Sequence, residues 1–194
     1  MASPARHLHG SAPDQAATAL LLIDVINDLE FPGSEALVAQ AIPMAERIAA
    51  LKERARAAEI PAIYVNDNFG RWRSDFRAQI HHCLHDDVKG QPVARILQPH
   101  DDDYFVLKPK HSGFYSTVLD VLLEHLGVRR LILTGVAGNI CVLFTANDAY
   151  MRDYEVIVPA DCVVSNSEAD NRAALDQMRI SLKADTRMSH EIDF

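Results

Sequence analysis

The chain alternates short, continuous apolar runs with longer stretches of helical periodicity. Runs near 19–24, 61–66, 103–107, 130–135 and 155–159, with a short last one near 185–188, have the length of strands. Between them, segments near 35–59, 74–84, 116–126, 140–153 and 168–183 repeat apolar positions at helical spacing. Runs that are apolar throughout belong to strands buried on both faces. Their alternation with helices predicts a parallel sheet covered on each side. Thr117-Val-Leu-Asp120 reads as a capping box opening the third helix, and Gly127 stops it. Pro43 predicts a kink or restart within the first helix. Asn166, Glu168 and Asp170 read as the cap and first turn of the last helix. The first sixteen or so residues, with Pro4, Gly10 and Pro13, read as an extended tail, and 17–194 as a single domain.

Three polar residues stand where apolar runs break. Asp24 closes Ala19-Leu-Leu-Leu-Ile-Asp24, and Lys108 closes Tyr104-Phe-Val-Leu-Lys108 before Pro109 stops the ladder. Cys141 follows Leu131-Ile-Leu-Thr-Gly-Val-Ala-Gly-Asn-Ile, at the start of a helical pattern. A thiol in a first helical turn faces unpaired N–H groups and the positive end of the helix dipole, which favour thiolate. Read alone, Cys141 is as well explained as a small buried hydrophobe. With Asp24 and Lys108 it makes a set that covalent catalysis needs: a nucleophile, a carboxylate to take and return its proton, and a cation to hold the charges together.

Over nearly everything from Ala19 onward the chain resembles the isochorismatase-like cysteine hydrolases, which include nicotinamidases, carbamoylsarcosine amidases and ureidoacrylate amidohydrolases. The resemblance is carried by Leu21-Leu-Ile-Asp-Val-Ile-Asn-Asp28, by Val106-Leu-Lys-Pro-Lys-His-Ser-Gly-Phe114 with Thr117 and Leu119, and by Thr134-Gly-Val-Ala-Gly-Asn-Ile-Cys-Val142. Thr145-Ala-Asn-Asp-Ala149, Tyr154-Glu-Val-Ile-Val158 and Ala160-Asp161 follow in order. It implies an α/β, three-layer Rossmann-like fold, with a six-stranded parallel sheet in the order 3-2-1-4-5-6. It also implies a catalytic triad of Asp24, Lys108 and Cys141. An oxyanion hole would come from the backbone N–H groups of Ala137 and Cys141, with a cis peptide joining Val136 to Ala137. The switch point of such a sheet lies between strands one and four, flanked by Asp24 and Cys141. Lys108 starts two strands away, about 10 Å at ordinary strand spacing, and must reach inward.

The expected activity is hydrolysis of a small-molecule amide or related carbon–nitrogen bond through a Cys141 thioester. Vinyl-ether hydrolysis, which needs no nucleophilic thiol, and a catalytically silent small-molecule-binding member of the fold are the alternatives. Phe69, Arg71 and Trp72, after the second strand, and Phe114, after Lys108, are candidate pocket residues; an aromatic plug at the sheet edge explains the first three equally well. Nicotinamidase-like members carry an Asp-x-His pair and a later His that bind a metal. The matching stretch here is Asp67-Asn68-Phe69, so no metal and no cofactor is expected. Two positions after Asp24 stands Ile26 where the family often has Gln, implying a less polar pocket floor. His81 and His85 form an i, i+4 pair, but two further ligands for a zinc ion have no candidate nearby. Asp101-Asp-Asp103 reads as a solvated turn.

Composition narrows the partners. The chain has 194 residues and a net charge of −8. That balance argues against nucleic acid or an anionic membrane as partner. A small-molecule substrate, a homo-oligomer (dimer or tetramer) and a cytoplasmic setting are expected. Cys83, Cys141 and Cys162 are too few and too scattered for a disulfide framework.

Overall fold

The computed structural model describes residues 15–70 and 75–194. Its elements, in order, are β1 (Thr18–Ile23), α1 (Glu35–Ala57), β2 (Ala62–Asp67), α2 (Phe76–His85), α3 (Gln91–Ile96) and β3 (Tyr104–Lys108). There follow α4 (Leu119–Leu126), β4 (Arg130–Val136), a single π-turn (Gly138–Val142), α5 (Leu143–Tyr150), β5 (Glu155–Ile157), β6 (Val163–Val164) and α6 (Glu168–Ser181).

Every strand pairing is parallel, and the sheet runs β3-β2-β1-β4-β5. Period-two alternation sorts β1 between two cores. Leu20 and Leu22 pack with Leu37, Ala41, Ile48 and Leu51 of α1, while Ala19, Leu21 and Ile23 pack with Leu119 and Leu123 of α4, Ala146 of α5 and Met178 of α6. The result is the three-layer arrangement that the alternating pattern predicts. Among the described residues no helix is long and apolar enough to cross a membrane.

Four local expectations need correcting. The sixth strand is not at 185–188: it is Val163–Val164, pairing with Gly135 and Val136 of β4 beyond the short β5. At the expected place only Asp185 makes a bridge, to Ile157. The capping box at Thr117 does not form, because the helix begins at Leu119. Thr117 Oγ1 instead donates to Gly113 O and accepts from Leu119 N–H. Helix α1 runs unbroken through Pro43, in its third turn, with a buried face on each side of that residue. Ser167, not Asn166, caps α6, accepting from Asp170 N–H at 3.1 Å. Helix α3, too short for periodicity to show, packs Val93 and Ala94 into the α1-side core.

Candidate active site

Three chain breaks at the carboxyl edge of the sheet converge. β1 ends at Ile23, and Asp24 turns the chain with φ of 52°, a left-handed conformation that an aspartate tolerates better than most residues. Asp24 N–H still donates to Val65 O, so the backbone stays in the ladder while the side chain turns out of it. β4 breaks after Gly135, whose φ of 112° and contact with the Ile23 backbone leave no room for a side chain. The Val136–Ala137 peptide is cis. The chain then enters the π-turn, where the N–H groups of Ile140 and Val142 both close on Ala137 O. Cys141 lies in this turn, directly before α5, a placement π-turns often serve at functional sites.

Lys108 ties the breaks together. Fully buried, it crosses from β3 to lie 2.8 Å from Asp24 Oδ2 and 3.5 Å from Cys141 Sγ. Its Nζ also sits 3.4 Å from Asp67 Oδ2. Asp67 stands opposite Lys108 in the β2–β3 register, and its N–H donates to Asp24 Oδ1 at 2.7 Å. The Asp24 carboxyl lies close enough to the thiol for each to act on the other electrostatically. In the sequence Asp67 stands out only as the first residue of the stretch Asp67-Asn68-Phe69. Its Oδ1 does hold the turn, accepting from Phe69 N–H, but its other oxygen completes a ring of acidic groups around the buried ammonium.

The electrostatics depart from the thiolate expectation. Burial pushes the Cys141 thiol up to about 12, and the adjacent Asp24 carboxylate adds to the rise, against the pull of Lys108. Burial likewise raises Asp24, with Lys108, the thiol hydrogen bond and the Asp67 N–H opposing it. Burial works against the Lys108 ammonium too, but Asp24, Cys141 and Asp67 outweigh it, and its pKa goes up. Burial thus favours the neutral form of the thiol at rest. A helix start and one cation do not compensate for lost hydration when a carboxylate shares the site.

Side chains at one remove hold the turn still. Thr145 Oγ1 donates to Cys141 O at 2.7 Å and accepts from Gly113 N–H, fastening the turn to the loop after β3. Ser165 Oγ accepts from Asn139 N–H and donates to Asn171 Oδ1, fastening it to the chain after β6. Thr145 lies inside a segment that carries the resemblance; Ser165 and Asn171 give no signal of their own in the sequence.

The candidate pocket residues separate. Phe69 borders a cavity at the carboxyl edge with Asn27, Phe31 and Gln79. Arg71 and Trp72 lie outside the described residues. Phe114 is not a pocket wall: its buried ring packs on Tyr154 and beneath Arg152, beyond the far end of α5 from Cys141. Ile26 is likewise no pocket floor; it is buried in the α1-side core, and its carbonyl accepts from Asn66 Nδ2.

The metal that nicotinamidase-like relatives are expected to hold does not fit these residues. Phe69 offers no donor atom, and both Asp67 oxygens are already engaged, one by Phe69 N–H and one by Lys108. His81 and His85 stack at 4.7 Å between ring centres, and His82 is taken by Asp28 and Asp86. Among the described residues, the one cluster of three close ligand atoms is His100, Asp102 and Asp103, at the opposite edge of the sheet. Its carboxylates already pair with Arg56 and Lys52.

A doubly covered parallel sheet presenting an Asp–Lys–Cys cluster at its switch point places a nucleophile where open α/β sheets bind their ligands. The isochorismatase domain model matches residues 18–190, and the chain belongs to the isochorismatase family. It is 45% identical over 178 residues to the uncharacterized isochorismatase family protein YaaI of Bacillus subtilis, covering 92% of this chain and 97% of that one. It is 32% identical over 180 residues to the ureidoacrylate amidohydrolase RutB of Methylorubrum extorquens, covering 76% of this chain and 70% of that one. Among solved structures, the N-carbamoylsarcosine amidase of Thermoplasma acidophilum superposes with a TM-score of 0.70 at 26% identity, covering 92% of this chain and all of that one. The protein is thus a hydrolase of this family.

Proposed function

We propose that the protein hydrolyses a carbon–nitrogen bond of a small amide or ureido compound through a thioester on Cys141. The observation that supports this best is the Lys108 ammonium held 2.8 Å from Asp24 and 3.5 Å from the Cys141 thiol. Two of the relatives named above are amidohydrolases by name, which agrees with the same bond class.

Asp24 accepts the thiol proton as the sulfur attacks the carbonyl carbon, so the thiolate forms only as it is consumed. Lys108 stays charged and offsets the anion as it moves from carboxylate to sulfur to oxygen. The Ala137 and Cys141 N–H groups receive the oxyanion. The tetrahedral intermediate collapses as protonated Asp24 gives its proton to the departing nitrogen, and the C–N bond breaks. Water then gives a proton to Asp24 and attacks the thioester. Collapse releases the acid and returns the thiol, with Asp24 again ionised.

The test is a panel of small carboxamides and ureido acids assayed for released ammonia or amine, with intact-protein mass spectrometry on quenched samples. An acyl adduct mapped to Cys141, and no turnover by Cys141→Ala, are expected. Turnover by Cys141→Ala overturns the thioester route. No turnover of any panel member, with small molecules still bound, points instead to a binding protein.

A further inference from the structure

At the carboxyl edge of the sheet, a cavity of about 360 Å³ lies among Asn27, Asp28, Phe31, Phe69, Gln79 and His82. That volume suits a small planar molecule. One residue links it to the reacting groups: Asp67 N–H donates to Asp24 Oδ1, while Asp67 O accepts from Gln79 Nε2 at 3.0 Å. Because a carbonyl can only accept, this bond fixes which end of the Gln79 amide is nitrogen. Its oxygen is the other end. Gln79 is 7% exposed, lines the cavity, and its buried Oε1 has no hydrogen-bond partner. A buried acceptor without a donor costs stability that a ligand N–H would restore.

The charged groups at the cavity already have partners. Asp28 accepts from Glu30 N–H on one oxygen and meets His82 on the other, and His82 also holds Asp86. Glu30 accepts from Lys89 N–H and lies 3.8 Å from Lys89 Nζ. What remains without a hydrogen-bond partner among the described residues of the lining is the neutral Gln79 acceptor, and the exposed rings of Phe31 and Phe69 line the same cavity.

We infer that this cavity is a recognition subsite for an uncharged, planar group bearing N–H donors, a carboxamide or ureido group, with Gln79 Oε1 as its acceptor. The inference deepens the proposed amide hydrolysis and rests on that reading only for the identity of the molecule: the subsite selects the same chemical class that the triad would cleave.

Three isosteric probes test it on the full chain carrying Cys141→Ala, so that nothing is turned over. Benzamide offers N–H donors without charge, acetophenone replaces the amino group by methyl, and benzamidine is the cation. Calorimetric titration is expected to give benzamide an affinity at least about tenfold above acetophenone, and no weaker than benzamidine. Ala78 borders the cavity without bonding Gln79 through its side chain. Ala78→Leu and Ala78→Trp are expected to weaken benzamide binding in order of added volume, with thermal unfolding unchanged. Equal affinity for benzamide and acetophenone overturns the donor requirement, and tighter binding of benzamidine overturns the uncharged ligand. Undiminished binding in a folded Ala78→Leu protein places the ligand elsewhere. These outcomes are independent of chemistry: binding as expected without turnover by the unsubstituted protein sinks the hydrolysis, and turnover without this selectivity sinks the subsite.

Discussion

The two edges of the sheet each bury a lysine against an aspartate, yet only one of them can run a reaction. At the amino edge Lys52 Nζ meets Asp103 Oδ2 at 2.5 Å and donates to Tyr64 OH, which donates to Leu97 O. Asp103 also accepts from His100 N–H, and Tyr64, desolvated beside Asp103, has its pKa raised far out of range. Every proton there has a settled place. At the carboxyl edge Lys108 meets Asp24 at 2.8 Å, but the third group is a thiol. Its proton can pass to the carboxylate it already touches. The amino edge even has the larger cavity, about 540 Å³ against 360 Å³. A buried ion pair beside a cavity is therefore not enough; a nucleophile that shares a proton with the pair is what separates site from scaffold.

The sharpest way to break the contrast is to disable each edge in turn. Asp24→Asn, Lys108→Ala and Cys141→Ala are each expected to lower kcat by at least about a thousandfold, because groups acting as a unit fail together. Lys52→Met is expected to leave kcat within roughly threefold, since that pair lies at the opposite edge. Steady-state kinetics on the best panel substrate check both. A Lys108→Ala enzyme with near-normal rate would remove Lys108 from the mechanism and erase the distinction.

Stability should rank the other way. Lys52→Met strands the Asp103 carboxylate, whose side chain is 6% exposed, at a cost of about 3 kcal/mol. Urea unfolding at neutral pH measures it. A loss below about 1 kcal/mol would mean that water reaches Asp103 once Lys52 is gone. Cys141→Ala, removing one part-exposed thiol, is expected to change stability by less than about 1 kcal/mol.

How far each edge was legible in the sequence follows from where its residues stand. Asp24, Lys108 and Cys141 each interrupt an apolar run, so the fold and the three residues that it brings together show in the pattern. Asp67 joins them only through the β2–β3 register, and Gln79 only because α2 packs across that strand end. Neither relation has a local signal. β6 has two residues and α3 six, too few for periodicity to register. Asp103 looked like part of a solvated turn because its partner is a lysine fifty-one positions earlier. Helix position, which favours a thiolate, is visible in a sequence, whereas the burial that pushes the Cys141 thiol up is not.

That protonation state gives a third prediction. Cys141 is part-exposed while Cys83 and Cys162 are buried, so iodoacetamide should label Cys141 before either. With the thiol pushed up to about 12, the labelling rate should climb steadily between pH 6 and 9 as the thiolate fraction grows. Peptide mapping by mass spectrometry follows all three sites at once. A rate flat over that range would show a resting thiolate, returning the carboxyl edge to the ion-pair picture and placing the proton on Asp24.

The smallest expected effect belongs to His82, at the rim of the carboxyl-edge cavity between Asp28 and Asp86. The Asp86 hydrogen bond, with help from Asp28, raises its pKa above the ordinary 6.5 against a small burial cost. A raised folded-state pKa means that the folded protein holds the proton more tightly than the unfolded chain does. The resulting stabilisation is fully present below about pH 6.5 and is lost as pH rises through the folded value. His82 is about a third exposed, so screening holds the effect to roughly half a kcal/mol. Thermal unfolding of the unsubstituted protein and His82→Asn at pH 6 and pH 8.5 should show a stability gap at the lower pH that narrows at the higher. A gap independent of pH would mean that His82 contributes by packing alone, leaving the Asp28 carboxylate at the cavity without its compensating charge.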